Sequence, residues 1–123
     1  GLDVEVFSFG NLERAAREAK LPSHREHVTF YFWQNPQMFR IYYVQNPENL
    51  TRYRLTLDYA QDYELLTKIR EHFEAQGKTN FTWQDIVEFL KANPEVAKIN
   101  SDNKQNAGWA PSFEEDKRFL ESK

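Results

Sequence analysis

The chain has 123 residues and no cysteine, so it is expected to bury one real core, and disulfides, thiolate metal sites and a cysteine nucleophile are excluded. Its formal net charge of -3, with both signs interspersed, leaves no basic stripe, so nucleic acid is not an expected partner. No apolar run approaches the roughly 18 residues of a membrane span and no signal peptide is evident, so the expectation is a cytoplasmic protein without a membrane partner.

In LDVEVF, Leu2, Val4 and Val6 alternate with Asp3 and Glu5, a period-two pattern that predicts a strand with acids on one face. Gly1 leads straight into it, and the chain reads as a piece of something longer. NLERAAREAK places Leu12, Ala15, Ala16 and Ala19 at helical spacing, with Asn11 as the expected N-cap and Leu21-Pro22 as the stop. In SHREHVTFYFWQNP a Ser23–Glu26 capping box competes with strand-favouring Val28, Thr29 and aromatics. The reading chosen is a helix that ends near Asn35-Pro36 and is buried on more than one side.

FRIYYV and YRLTL read as strands joined by the loop QNPENL, with Leu55 and Leu57 on one face of the second and Arg54, Thr56 and Asp58 on the other. From Ala60, Leu65, Leu66, Ile69 and Phe73 form an apolar helical stripe, and Gly77 sits where a C-terminal cap belongs. FTWQDIVEFLKANP repeats this grammar, with Thr82 as N-cap, Asp85 at the box position and Pro94 beyond the end. NSDNKQNAG reads as a polar loop, and a Ser112–Glu115 box is expected to open a terminal helix. Strands separated by helices predict an α/β protein.

Asp58, between a strand end and a helix start, is the first candidate for chemistry. In open α/β sheets ligands gather at that edge, and the helix N-terminus favours a phosphate nearby, so a carboxylate there can hold Mg²⁺. The competing reading is that Asp58, or Asp62 one turn later, simply caps the helix; spacing does not separate them. Asp3 and Glu5 point to one side of their strand and could share a cleft with Asp58, or line an acidic solvent face. In HREH, the absence of H-E-x-x-H spacing disfavours zinc, and Arg25 is read as an anion contact or salt-bridge partner. Phe30, Tyr31, Phe32 and Trp33, with Tyr42 and Tyr43, are candidates for core, for a subunit contact or for base stacking. Glycines at 1, 10, 77 and 108 form no triphosphate loop.

GLDVEVFSF, REHVT-YFW-NP--F and RLTLD-A-DYELL-KI, in that order, resemble the C-terminal half of the cytidylyltransferases related to spore coat polysaccharide biosynthesis protein F, which belong with the acylneuraminate and CMP-Kdo synthetases. DIVEFLKANPEVAKIN resembles the tail of that group. The resemblance implies a partial Rossmann-like nucleotidyltransferase fold, a mixed sheet with flanking helices over residues 1–77, followed by a helical extension over 78–123. It implies transfer of CMP from CTP to a sugar or sugar acid with Mg²⁺, in a homodimer. Asp58 is then the catalytic metal ligand, and Asp3, Glu5, Arg25, Glu26 and His27 lie on the sugar side. TLDYAQD departs from the usual TVDTPED at Tyr59, Ala60 and Gln61. The family's CTP loop and its other metal-binding aspartate are missing, so the chain alone is expected not to turn over. The alternative is a non-catalytic sugar-binding or dimerisation module.

Overall fold

The computed structural model describes residues 1–104 and 106–122, so Gln105 of the expected polar loop lies outside the described residues. The chain divides into two compact units, Gly1–Leu2 with Asn46–Gln105 and Asp3–Gln45 with Asn106–Lys123.

The first unit is built on α4 (Ala60–Ala75), α5 (Trp83–Ala92) and α6 (Pro94–Ala97). Leu65, Ile69 and Phe73 recur every four residues, so they share one face of α4, and all three are buried with Leu90 of α5. Ile86, Phe89, Val96 and Ile99 pack around them, and Phe73 stacks on Phe81 with ring centroids 4.4 Å apart. The helix stops at Gly77, whose φ of +67° is open to glycine without strain. Its N–H reaches the Glu74 carbonyl while that of Lys78 reaches Phe73, both at 2.9 Å, so the closing turn satisfies carbonyls left over by the helix. At the start of α5, Asp85 Oδ2 accepts from the Thr82 N–H at 2.6 Å, and the Thr82 hydroxyl accepts from the Asp85 N–H, the reciprocal box expected from the sequence. Asn93-Pro94 separates α5 from α6.

The second unit contains α1 (Phe9–Glu18), α2 (Pro22–Glu26), α3 (Phe30–Trp33) and α7 (Trp109–Glu121). Ala15, Ala19, Tyr31, Phe32 and Phe39 form its buried cluster, with Met38 and Ile41 against it. Phe30 meets Trp33, Trp109 and Phe113 at ring-centroid distances of 4.6, 5.1 and 5.6 Å, so much of the aromatic block is core. α1 is capped by Ser8, whose hydroxyl takes the Asn11 N–H, rather than by Asn11.

Three further sequence expectations are corrected. The mixed sheet is absent: no strand occurs among the described residues, and LDVEVF, FRIYYV and YRLTL all run without regular structure. Alternation records only fitness for a half-buried pleated surface; without a neighbouring strand to take its backbone groups it does not make one. The helix expected over the aromatic segment is split into α2 and α3, and Ser23 lies inside α2 and does not cap it. Its N–H and hydroxyl go instead to the two oxygens of Asp116, at 2.9 and 2.6 Å. Ser112 does not open α7 but lies one turn inside it, its hydroxyl turned to Glu26 Oε2 at 2.9 Å.

Candidate functional site

Tyr59 is the extended residue that precedes α4, so its N–H and that of Asp58 lie outside the helix ladder and need acceptors. Asp62, at the third helical position, supplies them: its Oδ2 accepts from the N–H groups of Asp58 and Tyr59 at 3.0 and 3.1 Å. The same carboxylate, 0 % exposed, receives Arg54 in bidentate fashion, Nε to Oδ1 at 2.9 Å and Nη2 to Oδ2 at 3.0 Å. Asn100 closes the cluster, its Nδ2 donating to Asp62 Oδ1 at 2.8 Å and to the Arg54 carbonyl at 3.0 Å.

The Arg54 guanidinium, opposed by burial and aided by Asn100 and the two amides, holds the Asp62 carboxyl well below the usual carboxylate range. Arg54 is in turn held more firmly protonated, Asp62 being the main cause. With five donors within 3.1 Å, Asp62 has no lone pair left for a cation.

Asp58 is placed differently. Its side chain is 64 % exposed, and its Oδ2 accepts from Arg54 Nη2 at 2.7 Å. The alternatives left by spacing are thereby divided between two residues: Asp62 takes the cap and Asp58 faces solvent, tethered on one side. Tyr59, with Arg54 5.3 Å from its ring centre, and Tyr63 stand exposed in the same turn.

No group of three or more His, Cys, Asp or Glu residues that could hold a metal ion occurs among the described residues. One exposed carboxylate does fit the Mg²⁺ mode in which phosphate oxygens and water fill most of the shell. Asp58 therefore suits an ion brought with a phosphate, and does not suit a resident metal held by protein alone.

The remaining sequence candidates belong to the second unit. Asp3 and Glu5 lie in its N-terminal segment, before α1 and outside any helix. Arg25 donates from Nη1 to the Ala16 carbonyl at 2.7 Å, tying α2 to α1. Glu26 and His27 come together on Ser112, whose hydroxyl lies 2.9 Å from Glu26 Oε2 and 3.0 Å from His27 Nε2. Because that hydroxyl donates to Glu26, it accepts from His27, which places the imidazole proton on Nε2. A buried serine committed in this way is a strut between α2 and α7 and not a nucleophile. The sequence reading did not single out Asn100 or Asp116; both come from segments distant in sequence, and only Arg54, four residues before Asp58, carried a local signal.

No family model matches the chain, and no solved structure matches it. Among curated proteins it is similar to an uncharacterized protein of Methanocaldococcus jannaschii, with 39 % identity over 109 residues that cover 87 % of this chain and 44 % of that protein. It is also similar to the spore coat polysaccharide biosynthesis protein SpsF of Bacillus subtilis, with 29 % identity over 76 residues, 60 % of this chain and 31 % of that protein. The chain thus spans less than half the length of the curated relatives it matches. No helix among the described residues is long and apolar enough to cross a membrane.

Proposed function

We propose that this chain is part of a nucleotidyltransferase that transfers CMP from CTP to a sugar or sugar acid for surface polysaccharide. The carrying observation is the division of labour at the start of α4, in a chain similar to SpsF: Asp62 satisfies the helix and Arg54, which leaves Asp58 an exposed carboxylate held at a fixed place. Mg²⁺, when bound there with nucleotide, would supply neutralisation of charge on the phosphate in the transition state. Arg54 holds Asp58 through Nη2, and Asp62 with Asn100 holds Arg54, so the carboxylate need not be ordered at the moment of binding. With its glycines at 1, 10, 77 and 108 the chain has no triphosphate cradle of its own, and turnover in this reading needs the longer protein.

The test uses a full-length relative. Changing the counterpart of Asp58 to Asn is expected to lower pyrophosphate release from CTP by about 100-fold or more, in line with loss of one group that stabilises transition-state charge. The melting temperature should move by only a few degrees. Loss of activity in proportion to loss of fold, or unchanged activity, would overturn the proposal. On the present chain, enhancement of water relaxation by Mn²⁺ in the presence of CMP should fall in the Asp58→Asn variant.

A further inference from the structure

Arg54 is only 7 % exposed, yet its guanidinium is incompletely partnered among the described residues. The group offers five N–H donors in one plane, arranged as forked edges. The edge made by Nε and Nη2 is filled by the two oxygens of Asp62, at 2.9 and 3.0 Å. On the edge made by Nη1 and Nη2, Nη2 donates to Asp58 Oδ2 at 2.7 Å, whereas Nη1 has the Lys104 carbonyl alone, at 3.4 Å. That contact is long for a charged donor, and it occupies at most one of the two N–H groups on Nη1. A buried charged donor left over is costly, so Nη1 calls for an acceptor that the described chain does not supply. The Nη1–Nη2 edge is also the one that meets Asp58, whose side chain is 64 % exposed. Tyr59, with its ring centre 5.3 Å from Arg54 Cζ, covers a face of the guanidinium, so an incoming group meets the edge.

We infer that Arg54 is itself a ligand contact: through Nη1 it donates to an oxygen of the phosphate that brings the metal ion to Asp58. This role rests on the reading of Asp58 as a metal ligand and adds the group that holds the anion. A planar guanidinium edge matches phosphate oxygens, and its charge is already fixed in place by Asp62. The cluster as a whole is net negative, since one cation, Arg54, stands between the carboxylates of Asp58 and Asp62. Phosphate alone therefore binds weakly, and a divalent cation on Asp58 reverses the sign that it meets. Metal and phosphate raise each other's affinity by the same factor, because each favours the arrangement that the other needs.

Replacing Arg54 strands Asp62 and is expected to unfold the first unit, so the test reads the native side chain by nuclear magnetic resonance with isotope-labelled arginine. The Arg54 signals are assigned by their shift in the Asp58→Asn variant. At fixed ionic strength and without metal, inorganic phosphate should move the Nη1 proton signal saturably. Asp58→Asn should tighten that binding about fivefold, the size expected for removing one like charge about 4 Å away in water. Mg²⁺ should lower the phosphate concentration at half-saturation in the native chain and leave it unchanged in Asp58→Asn. An Nη1 signal indifferent to phosphate, a response of equal size to acetate, weaker phosphate binding in Asp58→Asn, or equal shifts in the exposed Arg17 and Arg70 would each overturn the inference. Failure of the metal reading has a different signature: Nη1 still answers to phosphate and tightens in Asp58→Asn, but Mg²⁺ changes nothing in either chain, which keeps Arg54 as the anion contact and removes the metal from Asp58.

Discussion

The two units bury carboxylates in contrasting company. Around α4, Asp62 meets a full guanidinium charge, an amide and two backbone N–H groups, all gathered within 3.1 Å. Between α2 and α7, Asp116 meets the N–H and hydroxyl of Ser23, while Ser112 is shared by Glu26 and His27. Removing one partner of a buried ion pair leaves an uncompensated charge, whereas removing the acceptor of neutral donors leaves only unsatisfied dipoles. The first unit should therefore be brittle at one residue and the second tolerant at each of several.

Asp62→Ala is expected to cost the most, about 3–5 kcal/mol, because it strands Arg54 inside the protein. Urea unfolding should show it, and a loss no larger than that of Asp116→Ala would erase the contrast. The same pair makes stability acid-sensitive. A carboxyl whose value is depressed in the fold stabilises above its ordinary value of about 3.9, and that contribution fades as pH falls below it. Wild-type stability should decline from about pH 5 downward, and an Asp62→Asn variant, less stable at pH 7, should show a flatter acid limb in circular dichroism.

Asp116→Ala comes next, at about 1–3 kcal/mol, the desolvation penalty of the Ser23 donors it leaves behind. Since Asp116 joins α7 to α2, amide exchange should quicken in those helices before it does in α4. Gly77→Ala should cost about 1 kcal/mol through positive φ alone, because nothing lies within 4 Å of a β-carbon placed there. Asp58→Ala is the smallest, at most about 1 kcal/mol, as expected for the exposed end of a tether. If Asp58→Ala proved as damaging as Asp62→Ala, Asp58 would be part of the structural cluster and not a carboxylate available to a ligand.

The same contrast separates what was legible in the chain from what was not. α4 and α5 could be read almost to their ends because their information is local: Leu65, Ile69 and Phe73 at one-turn spacing, Thr82 answered by Asp85 three residues on, and Gly77 where the backbone turns left-handed. Ser23 and Ser112 carried the same local grammar, yet neither caps a helix, because Asp116 and Glu26 compete for their donors from more than 80 residues away. The acids of the candidate site divide along the same line. Spacing marked both Asp58 and Asp62 as near α4, but the arrival of Arg54 and Asn100 decided which is consumed and which is left exposed.

By itself the sequence determined α4 and α5, with the Thr82–Asp85 box and the stop at Gly77, since those choices are settled between residues three or four positions apart. Tertiary structure decided the rest: LDVEVF, FRIYYV and YRLTL do not become strands, and Asp62 disappears into the interior while Asp58 stays in water. The physical reason is that strands, buried charges and shared serines each need a partner brought from elsewhere in the fold, and no periodicity within the segment specifies that partner.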